Sequence, residues 1–181
     1  MNQVKKRLLF ESDAIAKRVK ELGWRISQDY PDGDLLLVGI LKGSFMFLAD
    51  LSRAISRPCQ IDFARLSSYG SGTETSGNIT VVMDVGISVK DKHVILVDDI
   101  VDTGLTLHVY GTRMQQMEPH SLRIAALINK TSRRDKQVNL DYFAFEIESG
   151  FVVGYGLDWD ERFRNLPSIY VIEHAALTEI T

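Results

Sequence analysis

Three aspartates, Asp98, Asp99 and Asp102, crowd into VILVDDIVDTGLT, residues 94–106, where an apolar run gives way to Thr103-Gly104-Leu105-Thr106. Adjacent carboxylates repel, so this arrangement costs stability unless a cation or a ligand's hydroxyl groups occupy the site. The turn that follows suits a phosphate. Gly104 allows a tight bend and close approach by an anion, while Thr103 and Thr106 carry hydroxyl donors. The first N–H groups of a helix lack internal partners, and the helix dipole presents its positive end there. A plainer use is helix capping by Asp102 or Thr103 with the other acids solvated. The complete DD-x-x-D-T-G-x-T set directly after an apolar strand favours the phosphate reading. No G-x-x-x-x-G-K-[ST] occurs, and no G-x-G-x-x-G opens a helix. Acids just ahead of a phosphate turn suit a sugar phosphate, whose vicinal diol donates to the carboxylates.

These residues need elements to hold them. Residues 12–27 read as a helix, with Ile15, Val19, Leu22 and Ile26 on one face and Ser12 able to cap the start. Leu35–Leu41 reads as a buried strand ending at Lys42-Gly43, and residues 45–55 return to helical spacing with Phe45, Leu48, Ala49 and Ser52 on one side. Residues 61–66, Ile79–Met83, 93–97 and 122–128 read as strands and 105–117 as a helix. Shorter strand-like pieces follow at 141–145, 151–153 and Ile169–Ile172. Strands alternating with helices indicate an α/β fold with a central, mainly parallel sheet flanked by helices. Ligands of such sheets bind beyond the carboxyl ends of the strands. Lys42-Gly43, residues 98–106 and Asn129-Lys130 should therefore converge on one cleft. Residues 67–78, with three glycines and only Tyr69 as an apolar group, read as a lid.

Composition bounds the function. A chain of 181 residues is most simply a single domain, 1–181. Its net charge of −3 supplies no broad basic excess for nucleic acid. The longest apolar stretch, Leu35–Leu41, falls far short of the ~20 residues that span a bilayer. No signal peptide fits residues 1–13, and Cys59, the only cysteine, excludes an internal disulfide. A cytoplasmic setting is expected. Cys59 reads as a small buried hydrophobe, and Trp24 and Trp159 as packing residues. His93, His108, His120 and His174 show no zinc spacing.

VILVDDIVDTGLT resembles the phosphoribosyl-pyrophosphate signature of the type I phosphoribosyltransferases. LVGILKGSFMFLADL is similar to the pyrophosphate loop of their 6-oxopurine branch, SSYGSGTETSG to its lid, ALINK to its purine-contacting strand end, and FVVGYGLDWDERFRNLP to its base-binding segment. The match runs from about Leu35 to Ile172. The resemblance implies the type I phosphoribosyltransferase fold, with a small base-binding hood formed from the terminal segments. It also implies transfer of the 5-phosphoribosyl group from phosphoribosyl pyrophosphate to hypoxanthine or guanine, giving IMP or GMP and pyrophosphate. Asp98 and Asp99 would hold the ribose diol and support Mg²⁺, with Asp158 reaching a second Mg²⁺. Asp98 stands where the family usually has Glu. Asp102, Thr103, Gly104, Leu105 and Thr106 would cradle the 5-phosphate, and Asp102 would also take the purine N7 proton. Lys42, Gly43, Ser68, Tyr69 and Arg164 would meet pyrophosphate, with the Leu41–Lys42 peptide cis in some states. Lys130 would donate to the purine 6-oxo group, and Ile100, Phe151, Val152 and Asp158 would complete the purine site. A homodimer or homotetramer is implied. An alternative is a regulator that keeps this fold, binds nucleic acid, and uses phosphoribosyl pyrophosphate or nucleotide as effector.

Overall fold

The computed structural model describes residues 5–68 and 79–173. Within them the chain forms β1 (Lys6–Phe10), α1 (Ser12–Asp29), β2 (Leu35–Leu41), α2 (Phe45–Ala54), β3 (Gln60–Ser68) and β4 (Ile79–Met83). It continues through β5 (His93–Val101), α3 (Leu105–Gln115), β6 (Ser121–Lys130), β7 (Tyr142–Ile147), β8 (Val152–Val153) and β9 (Ile169–Ile172). Tyr69, the rest of the expected lid over 70–78, and His174 lie outside the described residues.

The expected parallel sheet is present as six strands in the order β4-β3-β2-β5-β6-β7. Every pairing is parallel except β3–β4. β2 is buried along Leu35–Ile40 because helices cover both faces of the sheet. Alternate residues feed two cores. Leu35, Leu37, Ile95 and Val97 pack with Ile15, Val19, Leu22, Ile26, Phe47 and Leu51 from α1 and α2. Leu36, Val38, Val94 and Leu96 pack with Leu107, Tyr110 and Met114 from α3. A second, antiparallel sheet, β1-β9-β8, joins the amino-terminal strand to the last two.

Several local expectations change. β5 runs on to Val101, so Asp98 and Asp99 lie inside a strand rather than beyond it. The parallel ladder to β6 carries them, pairing Asp98 with Ala126 and Val101 with Asn129. Residue 11, not Ser12, is the N-cap of α1, and the Ser12 N–H instead donates to Ser168 Oγ. The buried face of α2 is Phe47, Leu48 and Leu51, while Phe45, in the first turn, is 36% exposed. Trp24 lies on the outer face of α1 and is 66% exposed, whereas Trp159 stacks on Phe163. Cys59 is only partly buried against the core. No described helix is long and apolar enough to cross a membrane.

Candidate active site

The carboxyl ends of β2, β3 and β5 open onto a cavity of about 310 Å³. Lys42, Gly43, Asp98, Asp99, Ile100, Thr106, Asp158 and Arg164 line it, together with Leu66 and Ile79, which flank the residues expected as a lid. Topology alone brings these groups together from positions more than a hundred residues apart.

Gly43 follows the Leu41–Lys42 peptide, which is cis. Its glycine identity has a steric cause: a Cβ there would lie 1.7 Å from Asp99 Oδ2. The Asp99 carboxylate therefore sits directly on the backbone of the turn. Gly156, in the loop after β8, also approaches this turn, since a Cβ there would lie 2.2 Å from the Gly43 carbonyl oxygen. That loop delivers Asp158 and Arg164 to the cavity. Arg164 donates to the Gly156 carbonyl at 2.8 Å and forms an ion pair with Asp158 Oδ1 at 2.9 Å. Glu161, which the sequence reading passed over, reaches both Lys42 Nζ at 3.0 Å and Arg164 Nη2 at 3.2 Å. These two cations hold its carboxyl below the usual range.

Asp98 is buried. Burial, reinforced by the adjacent Asp99 charge, pushes its carboxyl well above the usual carboxylate range. Burial raises Asp99 as well. A buried acid beside a half-buried one, both held against their preferred ionisation, forms a site that a cation would relieve.

The turn after β5 places Gly104 in the left-handed region, φ 80°, as N-cap of α3. Neither Asp102 nor Thr103 serves as N-cap, which corrects the capping alternative. Thr103 Oγ1 accepts from the Leu105 N–H at 3.3 Å. The Thr103 carbonyl accepts from the N–H groups of Asp135 and Lys136, at 3.1 and 3.0 Å. The carboxylate of Asp102 turns instead to Lys130, whose Nζ lies 3.1 Å from its Oδ2. Asp102 Oδ1 is buried and has no hydrogen-bond partner. A buried acceptor without a donor is costly unless a ligand supplies one. Arg133 Nη1 stands 3.8 Å from the same carboxylate.

Not every expected residue joins this group. Asn129 turns to Glu146 and Arg134 rather than to the cavity. Phe151 is 41% exposed and Val152 is buried in the core; neither lines the cavity. Ser68 ends β3, where it pairs with Ile79.

The model of the phosphoribosyl transferase domain matches residues 8–160. The chain belongs to the phosphoribosyltransferase family. Within that family it is 42% identical, over 93% of its length and 96% of the relative's, to a hypoxanthine-guanine phosphoribosyltransferase of Aquifex aeolicus. It is 43% identical, over 88% of its length and 90% of the relative's, to a hypoxanthine phosphoribosyltransferase of Haemophilus influenzae. Among solved structures, a hypoxanthine phosphoribosyltransferase of Staphylococcus aureus superposes with a TM-score of 0.91 at 39% identity, covering 97% of this chain and 95% of that one. The Trypanosoma cruzi hypoxanthine phosphoribosyl transferase gives 0.92 at 36%, covering 99% and 97%. This phosphoribosyltransferase thus shares its fold with the 6-oxopurine enzymes along nearly its whole length.

Proposed function

We propose that the chain is a purine-salvage transferase that moves the 5-phosphoribosyl group of phosphoribosyl pyrophosphate to hypoxanthine and/or guanine, releasing pyrophosphate. The observation that carries this reading is the Asp102–Lys130 pair, 3.1 Å apart beside the phosphate turn, with the second carboxylate oxygen of Asp102 buried and free. That unpartnered oxygen suits a purine N7–H: Asp102 takes the N7 proton as N9 bonds to C1 of the ribose and the C1–O bond to pyrophosphate breaks. The ammonium of Lys130 has three donors, so it holds Asp102 and still offers one to the 6-oxo group. A 6-amino base would present a donor there instead.

Breaking the bond at C1 builds positive charge on the ribose, as in glycoside chemistry. Asp98 and Asp99 face that charge and accept from the 2- and 3-hydroxyls. Thr103–Thr106 hold the 5-phosphate at the start of α3. The backbone of Lys42-Gly43 and the guanidinium of Arg164 receive pyrophosphate, with Ser68 and Tyr69 assigned by resemblance. Phe151, Ile100, Val152 and the Asp158 backbone complete the purine site in this reading.

The acids fit Mg²⁺. The described residues hold no group of three or more His, Cys, Asp or Glu able to cage a metal. Mg²⁺ commonly uses one or two carboxylates plus waters and substrate phosphates. Asp98 and Asp99 supply such a pair, while both oxygens of Asp158 are already engaged by Arg164 and the Glu161 N–H. Bound there, Mg²⁺ would neutralise charge on the departing pyrophosphate.

The chain is read as one domain in which β1, β8 and β9 form the hood, working in the cytoplasm as a homodimer or homotetramer. Exposed Ile61, Val82 and Met83 on and beside the edge strand β4 support self-association. The nucleic-acid regulator is not favoured, because the proton-transfer pair is present and the similar proteins are transferases. The test supplies phosphoribosyl pyrophosphate and Mg²⁺ with hypoxanthine, guanine, xanthine or adenine and follows nucleotide and pyrophosphate. Turnover with the 6-oxopurines and not adenine is expected; no nucleotide from any base would overturn the reading.

A further inference from the structure

The parallel ladder between β5 and β6 ends at Val101 and Asn129. Asp102 and Lys130 each stand one residue beyond that last pair, so the register brings them near each other but no β5–β6 rung ties them together. A side chain from the following loop spans both strand ends. Arg134 Nη2 donates to the Val101 carbonyl at 3.1 Å, the Lys130 carbonyl at 3.2 Å and Asn129 Oδ1 at 2.5 Å. A guanidinium nitrogen has two hydrogens, so three acceptors share them across both strand ends. Asn129 is itself fixed by Glu146 Oε2 at 2.8 Å.

The next two residues extend this grip. Asp135 and Lys136 donate their N–H groups to the Thr103 carbonyl. The carbonyls on either side of Asp102, those of Val101 and Thr103, are thus both held by residues 134–136. The Arg134 stem also lies against the phosphate turn, its Cδ 3.3 Å from where a Cβ on Gly104 would stand. Its Nε is buried without a partner. The engaged donor meets two carbonyls and the Asn129 amide oxygen, and Arg134 does not line the 310 Å³ cavity.

We infer that Arg134 is a positioning residue for proton transfer: its guanidinium adds one rung to the β5–β6 ladder and sets the spacing of Asp102 and Lys130. The inference rests on the proposed transferase reading. A rigid planar fork can reach two carbonyls and an amide at once, which a lysine ammonium on a flexible stem cannot reproduce. Misplacing the reacting groups by about 1 Å is enough to cost on the order of a hundredfold in rate.

The test measures Arg134→Lys and Arg134→Ala with hypoxanthine, phosphoribosyl pyrophosphate and Mg²⁺, with circular dichroism to check folding. The expected result is a kcat lower by about ten- to a hundredfold in both variants, with KM for phosphoribosyl pyrophosphate within about twofold of wild type. Ethylguanidinium at millimolar concentration should restore part of kcat in the alanine variant, saturably, and leave the lysine variant and the wild type unmoved. A lysine variant with wild-type kcat overturns the inference, and it decides the matter if the alanine variant does not fold. A fall in kcat matched by a rise in that KM, without rescue, also overturns it and makes Arg134 a substrate ligand. An inactive wild type would sink the transferase reading itself, whereas an active wild type indifferent to residue 134 would sink only this inference.

Discussion

The two ends of β5 and β6 are built to opposite specifications. At the amino end, His93 Nδ1 lies 2.7 Å from Ser121 Oγ, and its ring meets His120 edge-on with centroids 4.6 Å apart. Arg123 pairs with Asp29 at 2.8 Å and with the Tyr142 hydroxyl at 2.6 Å, while that hydroxyl donates to Asp29. The Arg123 guanidinium also covers the ring of Tyr30, whose hydroxyl is the one buried side-chain polar atom of this cluster left without a partner. At the carboxyl end, buried Asp98 adjoins half-buried Asp99, and an Asp102 oxygen has no donor. The same ladder therefore carries paired opposite charges at one end and adjacent acids at the other, with one buried oxygen unpartnered at each. Under the proposed function, the crowded acids trade stability for binding.

The sharpest way to break this contrast is Asp102→Asn. It preserves shape and removes the base, so kcat should fall by about 10²–10⁴-fold while KM for phosphoribosyl pyrophosphate changes little. Steady-state rates at saturating hypoxanthine check this, and near-normal turnover would remove the base role. Next in size is Gly43→Ala. The new Cβ would overlap the Asp99 carboxylate, and the approach of Gly156 to the Gly43 carbonyl leaves the turn little room to yield. Overpacking of about 1–3 kcal/mol should weaken phosphoribosyl pyrophosphate binding by roughly ten- to a hundredfold. Calorimetric titration with unchanged affinity would show the turn to be more pliable than its contacts imply.

The contrast also explains what sequence could disclose. The helical face Ile15, Val19, Leu22 and Ile26 was legible because 3.6-residue spacing is local, and all four are buried. The turn at Gly104 that leads into α3 was legible for the same reason. β1 was not, because Lys6–Phe10 is short and finds its partner only in Ile169–Ile172. The face of α2 was misread because Phe45 opens the helix on its exposed side while Phe47 and Leu51 set the buried phase. Within the site, Asp102 and Lys130 were each marked by motif, but their pairing depends on the β5–β6 register. Glu161 and Arg134 carried no local signal, since a lone charge in a loop reads as a solvated one.

A smaller effect is expected for Asp98→Asn in the unliganded enzyme. The folded protein raises the Asp98 carboxyl, so its ionised form opposes folding at neutral pH and the neutral amide removes that penalty. Stability should rise by about 1 kcal/mol, moving Tm up by roughly 2–4 °C, while transfer activity falls. Thermal melts without substrate read the first effect and the transfer assay the second. A lower Tm would mean that hydrogen bonding at Asp98 outweighs the buried charge.

The smallest expected effect lies at the opposite end and has the opposite sign with pH. Burial lowers the His93 pKa, with His120, Arg57 and Arg123 adding to the effect and Asp32 opposing it. The unfolded chain thus takes up the proton first. The contribution of His93 is complete above its unfolded pKa of about 6.5 and is lost as pH falls through that value toward the lower folded one. Asp98 behaves in reverse: its penalty starts to shrink as pH falls through its raised folded pKa and is gone below the unfolded value of about 3.9. His93 is only partly shielded from solvent, so the loss should amount to a few tenths of a kcal/mol, at most about 1. Melts from pH 8 to pH 5 should decline near pH 6 in the wild type and flatten in His93→Gln, whose amide still reaches Ser121 but does not titrate. An unchanged decline in that variant would move the pH sensitivity to another group, His120 first, and the amino end would then not owe its pH limit to His93.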